Sequence, residues 1–381
     1  MTLPPVVQAG RELTPAERKR YARHLVMKEI GVVGQQRIVN AKVLVVGAGG
    51  LGSPVLLYLA AAGVGTLGVV DFDRVDESNL QRQIIHGQSN IGENKVDSAK
   101  AKIEEINSSV VVETHHLKLD EGNVLELFAR YDIIVDGTDN FSTRYLINDA
   151  CVILNKPAVM GSIFRFDGQA SIFWAPHGPC YRCVYPSPPP KELVLNCAEG
   201  GVLGALCASI GAIAATETLK LIVGMGSPLV GSIIFYDALE SNYDKVKVEK
   251  DPTCSICAAG SDAKMLESYD AFCGVRSDGS EITAAQLAAR ISAGESLQII
   301  DVREPYEWEE SRIEGAVLIP LAEFFDGRAQ EKILRDSPVI LYCHLGIRSA
   351  RALAALEGSG FVGITHLSGG IVSWDEFVLN G

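Results

Sequence analysis

The stretch Ala41 to Gly65, AKVLVVGAGGLGSPVLLYLAAAGVG, constrains the fold more than any other part of the chain. A short β-branched run leads into a turn containing Gly47, Gly49, Gly50 and Gly52, and an Ala/Leu-rich helix follows. A strand, glycine turn and helix in that order lets backbone approach a phosphate closely, while the helix N-terminus supplies favourable partial charge. By itself this turn says only nucleotide. Further buried strands are expected at TLGVVDFD, at Val110 to Thr114 and at Tyr131 to Val135, with helical character between Asn94 and Asn107. Strands alternating with helices predict a mainly parallel, Rossmann-like sheet covered on both faces. Ligands of such sheets sit beyond the carboxyl ends of the strands, where these glycines and the aspartates of DFD and DGTDN fall.

With 381 residues, at ~150 per domain, the chain has room for two or three domains. It carries 34 Lys and Arg against 47 Asp and Glu, a net charge of −13, which leaves no basic footprint for nucleic acid or an anionic membrane. The N-terminus has no signal-peptide pattern, and the longest apolar stretch, Val202 to Ala215, is interrupted by glycine and serine as a buried core helix is. A cytoplasmic protein is expected. Nine cysteines without an export signal point to metal or catalytic thiols rather than a disulfide framework.

Asp71 lies 19 residues beyond Gly52, at a strand end, where a carboxylate can accept ribose hydroxyls of either a dinucleotide or ATP. The residues after it, DRVDESNLQRQ and then Lys95, favour ATP over NAD. A hydride-transfer site has no use for Asn79, Arg82 and Lys95 there, whereas reaction at a phosphate needs cations for developing charge. Asp139 and Asn140 have the position and oxygen chemistry for Mg²⁺ held largely by phosphates and waters, with Asp136 as an alternative. Cys180 and Cys183, then Cys254 and Cys257, form two CxxC knuckles about 70 residues apart, which suits a closed tetrahedral Zn²⁺ site of structural rather than catalytic character.

From about Arg20 to Cys257, GAGGLGS, DFDRVDESNLQRQ, DGTDN and the paired CxxC motifs resemble the MoeB/ThiF family, relatives of the ubiquitin-activating enzymes that adenylate small ubiquitin-fold proteins. The resemblance implies an adenylyltransferase domain over residues 1–257. It places ATP contacts at Gly47, Gly49, Gly50, Gly52, Asp71, the run Ser78, Asn79, Leu80, Gln81 and Arg82, and at Lys95, Asp139 and Asn140, with zinc at the four knuckle cysteines. It also implies that Arg23 is given to a partner subunit's site, hence a homodimer. Cys197, in LNCAEGGVLG, matches a loop where some members place a reactive cysteine. Cys151, Cys207 and Cys273 read as core or incidental thiols.

After Cys257 the sequence turns polar and small, which suits a linker over 258–276. A second α/β pattern follows, with 15 acidic and 8 basic residues in 281–381. In it, CHLGIRS follows a strand and precedes a helix, so backbone N–H groups and the helix N-terminus would stabilise a thiolate or a sulfur carried on Cys343. With IDVREPYEWEESRIEGAVLIP upstream and HLSGGIVSW downstream, residues 277–381 resemble a small α/β rhodanese domain, whose cysteine carries a persulfide. Four residues separate Cys343 from Arg348, one fewer than in the similar protein-tyrosine-phosphatase loop, and the smaller cradle suits sulfur better than phosphate. His344 replaces the basic residue often found after this cysteine.

The two resemblances together imply ATP-dependent adenylation of a small ubiquitin-fold sulfur-carrier protein ending in Gly-Gly. Sulfur transfer through Cys343, assisted by Cys197, follows, with a cysteine desulfurase as sulfur source. A NAD-dependent zinc-containing oxidoreductase and a non-catalytic carrier-binding scaffold are the alternatives.

Overall fold

The computed structural model describes residues 3–189, 201–273 and 281–380, apart from 336, 345, 357–359 and 362. The chain forms two compact units, Met1–Gly274 and Val275–Gly381.

In the first unit, β1 (Lys42–Val46) leads through the glycine turn into α1 (Gly52–Ala62) and β2 (Thr66–Val70). Then come α2 (Lys95–Ile106), β3 (Val111–His115), β4 (Ile133–Asp136), α3 (Phe141–Ile153), β5 (Ala158–Phe164) and β6 (Asp167–Phe173). Helix α4 (Gly204–Val223) and strands β7 (Ser232–Asp237) and β8 (Asn242–Lys247) complete the sheet, ordered β3-β2-β1-β4-β5-β6-β7-β8. The apolar run of β1 is central for a physical reason: Val43, Leu44 and Val45 are wholly buried, so both faces of that strand are covered. One core packs α1, α2 and α4 on one face, and a second packs α3 on the other.

The parallel half, β3 to β5, is as the sequence pattern predicts. The other half is antiparallel. Its hairpins are poorly marked in the sequence: the Asp167-Gly168 pair falls inside β6, while the turns put Arg165 (φ 53°) and Ser241 (φ 54°) in the left-handed region, where Asn or Gly is the usual signal. Helix α4 also runs past Ala215 to Val223; its 20 residues are long and apolar enough to cross a bilayer, but it packs against α1, β5 and β6 as a core helix.

The expected linker 258–276 is packed as far as Cys273. Met265, Leu266, Tyr269, Phe272 and Cys273 join the α3 core. Tyr269 is 2% exposed; its hydroxyl donates to Asp149 (2.8 Å) and its N–H to Glu121 (2.8 Å). A few apolar residues spaced among small polar ones suffice to dock a segment that composition alone reads as free.

The second unit has β9 (Glu281–Ile282), α5 (Ala284–Ser292), β10 (Gln298–Asp301), α6 (Pro305–Glu310) and β11 (Val317–Leu318). It continues with β12 (Val339–Tyr342), α7 (Ile347–Leu356), β13 (Ile364–Leu367) and α8 (Gly370–Asn380). Its sheet is parallel throughout, ordered β11-β10-β12-β13-β9, with apolar clusters on both faces. Helix α5 starts at a capping box in which the Thr283 hydroxyl accepts from the Gln286 N–H.

Candidate active site and metal centre

A cleft of about 600 Å³ opens where β1, β2, β4 and β5 end. Register explains its position: Val46 pairs with Val70 and with Asp136, so the turns after β1, β2 and β4 emerge together. Gly47 (φ 92°), Gly49 and Gly50 line it, with Asp71, Arg82, Lys95, Asp139 and Asn140. Gly52 lies behind the lining, where a Cβ would collide with the Gly47 carbonyl.

Asp71 organises the turn. Its carboxylate accepts from the Ala48 N–H and the Asp73 N–H, both at 2.9 Å. Burial pushes this carboxyl up, while the nearby Lys95 ammonium pulls it down. Lys95, 6% exposed, donates to Asp73 at 2.8 Å, so Asp73 is the resting counter-ion of this buried cation. Arg82 is half-buried and donates to the Ser78 carbonyl (3.0 Å). Ser78, Asn79, Leu80 and Gln81 lie outside the lining; they form the turn that carries Arg82, fixed where Asp76 accepts the Ser78 N–H.

On the opposite wall Asp139 and Asn140 are exposed. The Asn140 side-chain oxygen caps α3, accepting from the Thr143 N–H at 2.9 Å, which commits it to a structural bond. Asp136 is not a surface ligand: it is 1% exposed, 3.5 Å from Arg144 Nε, and accepts from Thr138. Burial raises its carboxyl and the Arg144 charge opposes this. Arg144, on the first turn of α3, also holds the Thr138 and Gly161 carbonyls (2.9 and 3.1 Å) and lines the cleft. Arg23 is exposed on the short helix Ala22–Leu25 and does not line the cleft of its own chain.

The four knuckle cysteines converge, their sulfurs all within 4.8 Å of one another. The pairs Cys180–Cys183, Cys180–Cys254 and Cys183–Cys257 are 3.8, 3.6 and 3.3 Å apart. A tetrahedron with Zn–S bonds of about 2.3 Å has edges of about 3.8 Å, so this donor set fits Zn²⁺ and leaves no open position. Hydrogen bonding from Cys180 holds the Cys183 thiol down at about 5 and pushes the Cys180 thiol up. Between the first two ligands, Arg182 is paired with Asp149 through two 2.8 Å bonds, tying the knuckle to α3.

In the second unit Cys343 stands between β12 and α7, 1% exposed. The Gly346 N–H donates to its sulfur (3.1 Å) and the Ser349 hydroxyl lies 3.7 Å away. The HLSGG segment closes the far side: Ile371 N–H donates to the Cys343 carbonyl (2.8 Å), and a Cβ on Gly370 would strike the Cys343 and His344 carbonyls. Arg348 is partly exposed but already paired, and so is not a free anion trap: Glu307 on α6 accepts from both its Nη atoms at 2.6 Å. Burial alone would raise the Glu307 carboxyl, but Arg348 outweighs it and holds it below the ordinary range. Cys197 lies outside the described residues. Sequence reasoning missed Asp73, Arg144 and Glu307; each carries a charge whose partner is distant in sequence or hidden one turn along a helix.

Residues 21–256 match the ThiF family and residues 283–377 the rhodanese-like domain. The chain belongs to the ThiF family. It is 50% identical to the probable adenylyltransferase/sulfurtransferase MoeZ of Mycobacterium tuberculosis, over 98% of this chain and 96% of that one. It is 47% identical to the sulfur carrier protein adenylyltransferase of Thermus thermophilus, over 69% of this chain and 99% of that one. Among solved structures, Escherichia coli MccB with MccA-N7isoASN aligns with a TM-score of 0.56 at 23% identity, covering 63% of this chain and 74% of that chain, a likeness of fold. This ThiF-family chain is thus an enzyme of the adenylyltransferase and sulfurtransferase class.

Proposed function

We propose that the chain adenylates the C-terminal glycine of a small ubiquitin-fold sulfur-carrier protein ending in Gly-Gly and then converts it to a thiocarboxylate. The observation that carries this reading is the placing of Arg82 and Lys95 in one cleft with the glycine turn and Asp71, joined in one chain to the Cys343 cradle. The carrier carboxylate attacks the α-phosphorus of ATP and pyrophosphate leaves. Asp71 fixes the turn and the ribose, Arg82 and Lys95 take up developing charge, and Lys95 exchanges Asp73 for phosphate. Exposed and away from its own cleft, Arg23 serves the second subunit of a homodimer. Mg²⁺ held by Asp139 would neutralise phosphate oxygens, and Zn²⁺ in the Cys₄ cluster would brace the fold.

No side-chain nucleophile is needed for adenylation. In the second stage the terminal sulfur of a Cys343 persulfide, loaded by a cysteine desulfurase, attacks the acyl carbon and expels AMP, leaving an acyl disulfide. The Cys197 thiolate then attacks the Cys343 sulfur, releasing the carrier thiocarboxylate and leaving a Cys197–Cys343 disulfide that a cellular thiol reduces. With Arg348 neutralised by Glu307, the cradle favours sulfur delivered by a protein over a free anionic donor. Titration with ATP and with NAD, followed by carrier-dependent ATP–pyrophosphate exchange, tests the reading. ATP binding and exchange are expected; NAD binding without exchange overturns it.

A further inference from the structure

His86 is a buried titratable residue that no step above uses. It is 7% exposed and, behind the cleft lining, bridges the glycine turn and α2. Nε2 lies 3.0 Å from the carbonyl oxygen of Ala48, inside the glycine turn, and Nδ1 lies 2.8 Å from the hydroxyl of Ser98 on α2. A carbonyl only accepts, so Nε2 carries the proton, and Nδ1 accepts from Ser98. Burial holds the imidazole down at about 4, so this neutral tautomer persists at neutral pH.

The Ala48 peptide is therefore gripped at both ends, its N–H by Asp71 (2.9 Å) and its carbonyl by His86. Gly49 and Gly50, which follow directly, line the cleft. Glycines have little intrinsic stiffness, so the direction of their N–H groups depends on what holds the residue before them. Through Ser98 the same imidazole is anchored to α2, one turn from Lys95 at the start of that helix. One side chain thus couples the position of the phosphate-facing turn to that of the buried cation.

We propose that His86 is a positioning residue for nucleotide binding, setting the glycine turn and α2 in register so that ATP meets its N–H groups and Lys95 together. This rests on the adenylation reading above. In the full-length protein, His86→Ala is expected to raise the KM for ATP in carrier-dependent pyrophosphate exchange by about tenfold, the effect of one lost hydrogen bond at a binding wall, with kcat at saturating ATP changed less than about twofold. His86→Gln, whose amide N–H can reach the Ala48 carbonyl, is expected to recover most of the loss. Persulfide loading of Cys343 by a cysteine desulfurase should be equal in all three proteins, which checks the second unit, and matching near-UV circular dichroism checks that the first unit, where His86 lies, is folded. An unchanged KM in His86→Ala, or a His86→Gln variant no better than His86→Ala, overturns the proposal. ATP affinity measured by calorimetry separates the two claims: affinity that depends on His86 without pyrophosphate exchange in the wild type supports the positioning role and refutes the adenylation reading.

Discussion

At the scale of single residues, the two chemistries use different groups, so single substitutions should divide them. Arg82 lines the nucleotide cleft, and Cys343 stands in the other unit. Removing a cation that meets transition-state charge costs about 3 kcal/mol, so Arg82→Ala should lower pyrophosphate exchange by ~100-fold while leaving desulfurase-dependent persulfide loading unchanged. Parallel assays of both on one preparation check this, and exchange at the wild-type rate would remove Arg82 from the site. His86 gives a pH signature. Its folded value of about 4 lies below the ordinary histidine value of 6.5, so between them the unfolded chain binds a proton that the folded chain refuses. Stability from this residue is therefore complete above pH ~6.5 and is lost as pH falls toward 4. Thermal midpoints of wild type and His86→Gln between pH 7 and 4 should show the wild type losing more; parallel curves would contradict the assignment.

At the scale of elements, what could be read in advance follows from how local the signal is. The strand–glycine turn–helix, the carboxylates after β2 and β4, and the Cys343 loop each declare themselves within about a dozen residues, because turn geometry and anion-binding backbone are local properties. The antiparallel half of the sheet does not, since Arg165 and Ser241 occupy turn positions where the sequence offers no Gly or Asn. The docked segment after Cys257 escapes for another reason. Its anchor is Tyr269 meeting Asp149, 120 residues earlier, and burial by tertiary contact leaves no periodic trace in a short polar stretch. Asp149 receives Arg182 from the knuckle and Tyr269 from this segment, so α3 is latched from both sides. Tyr269→Phe, which removes one hydrogen bond to a buried carboxylate, is expected to destabilise the first unit by ~1–3 kcal/mol, read as a lower urea midpoint. An unchanged midpoint would mean that the latch is not made in solution. The knuckles belong to the same layer: freshly reduced protein should contain one Zn²⁺ per chain, and Cys180→Ser should lose both the ion and stability, because structural metal affinity is folding free energy. Metal analysis finding no zinc in the wild type would refute the Cys₄ assignment.

At the scale of the whole molecule, the chain joins a cleft built to activate a carboxylate to a cradle built to hold a sulfur. Neither unit alone makes a thiocarboxylate in this account, because adenylation has no need of a thiol and the Cys343 cradle has no nucleotide-binding turn. The cleft was readable to the level of its glycine turn, Asp71, Arg82 and Lys95. The ion pairs that tune it, Lys95 with Asp73 and Asp136 with Arg144, required the strands to be assembled side by side. The most direct test is a single-turnover reaction of the full-length enzyme with ATP, a carrier ending in Gly-Gly and a cysteine desulfurase as the only sulfur donor, with the carrier read by mass spectrometry. Wild type is predicted to give the thiocarboxylate, and Cys343→Ala to accumulate the acyl-adenylate with none. A full thiocarboxylate yield from Cys343→Ala would contradict the account and make the second unit a passenger.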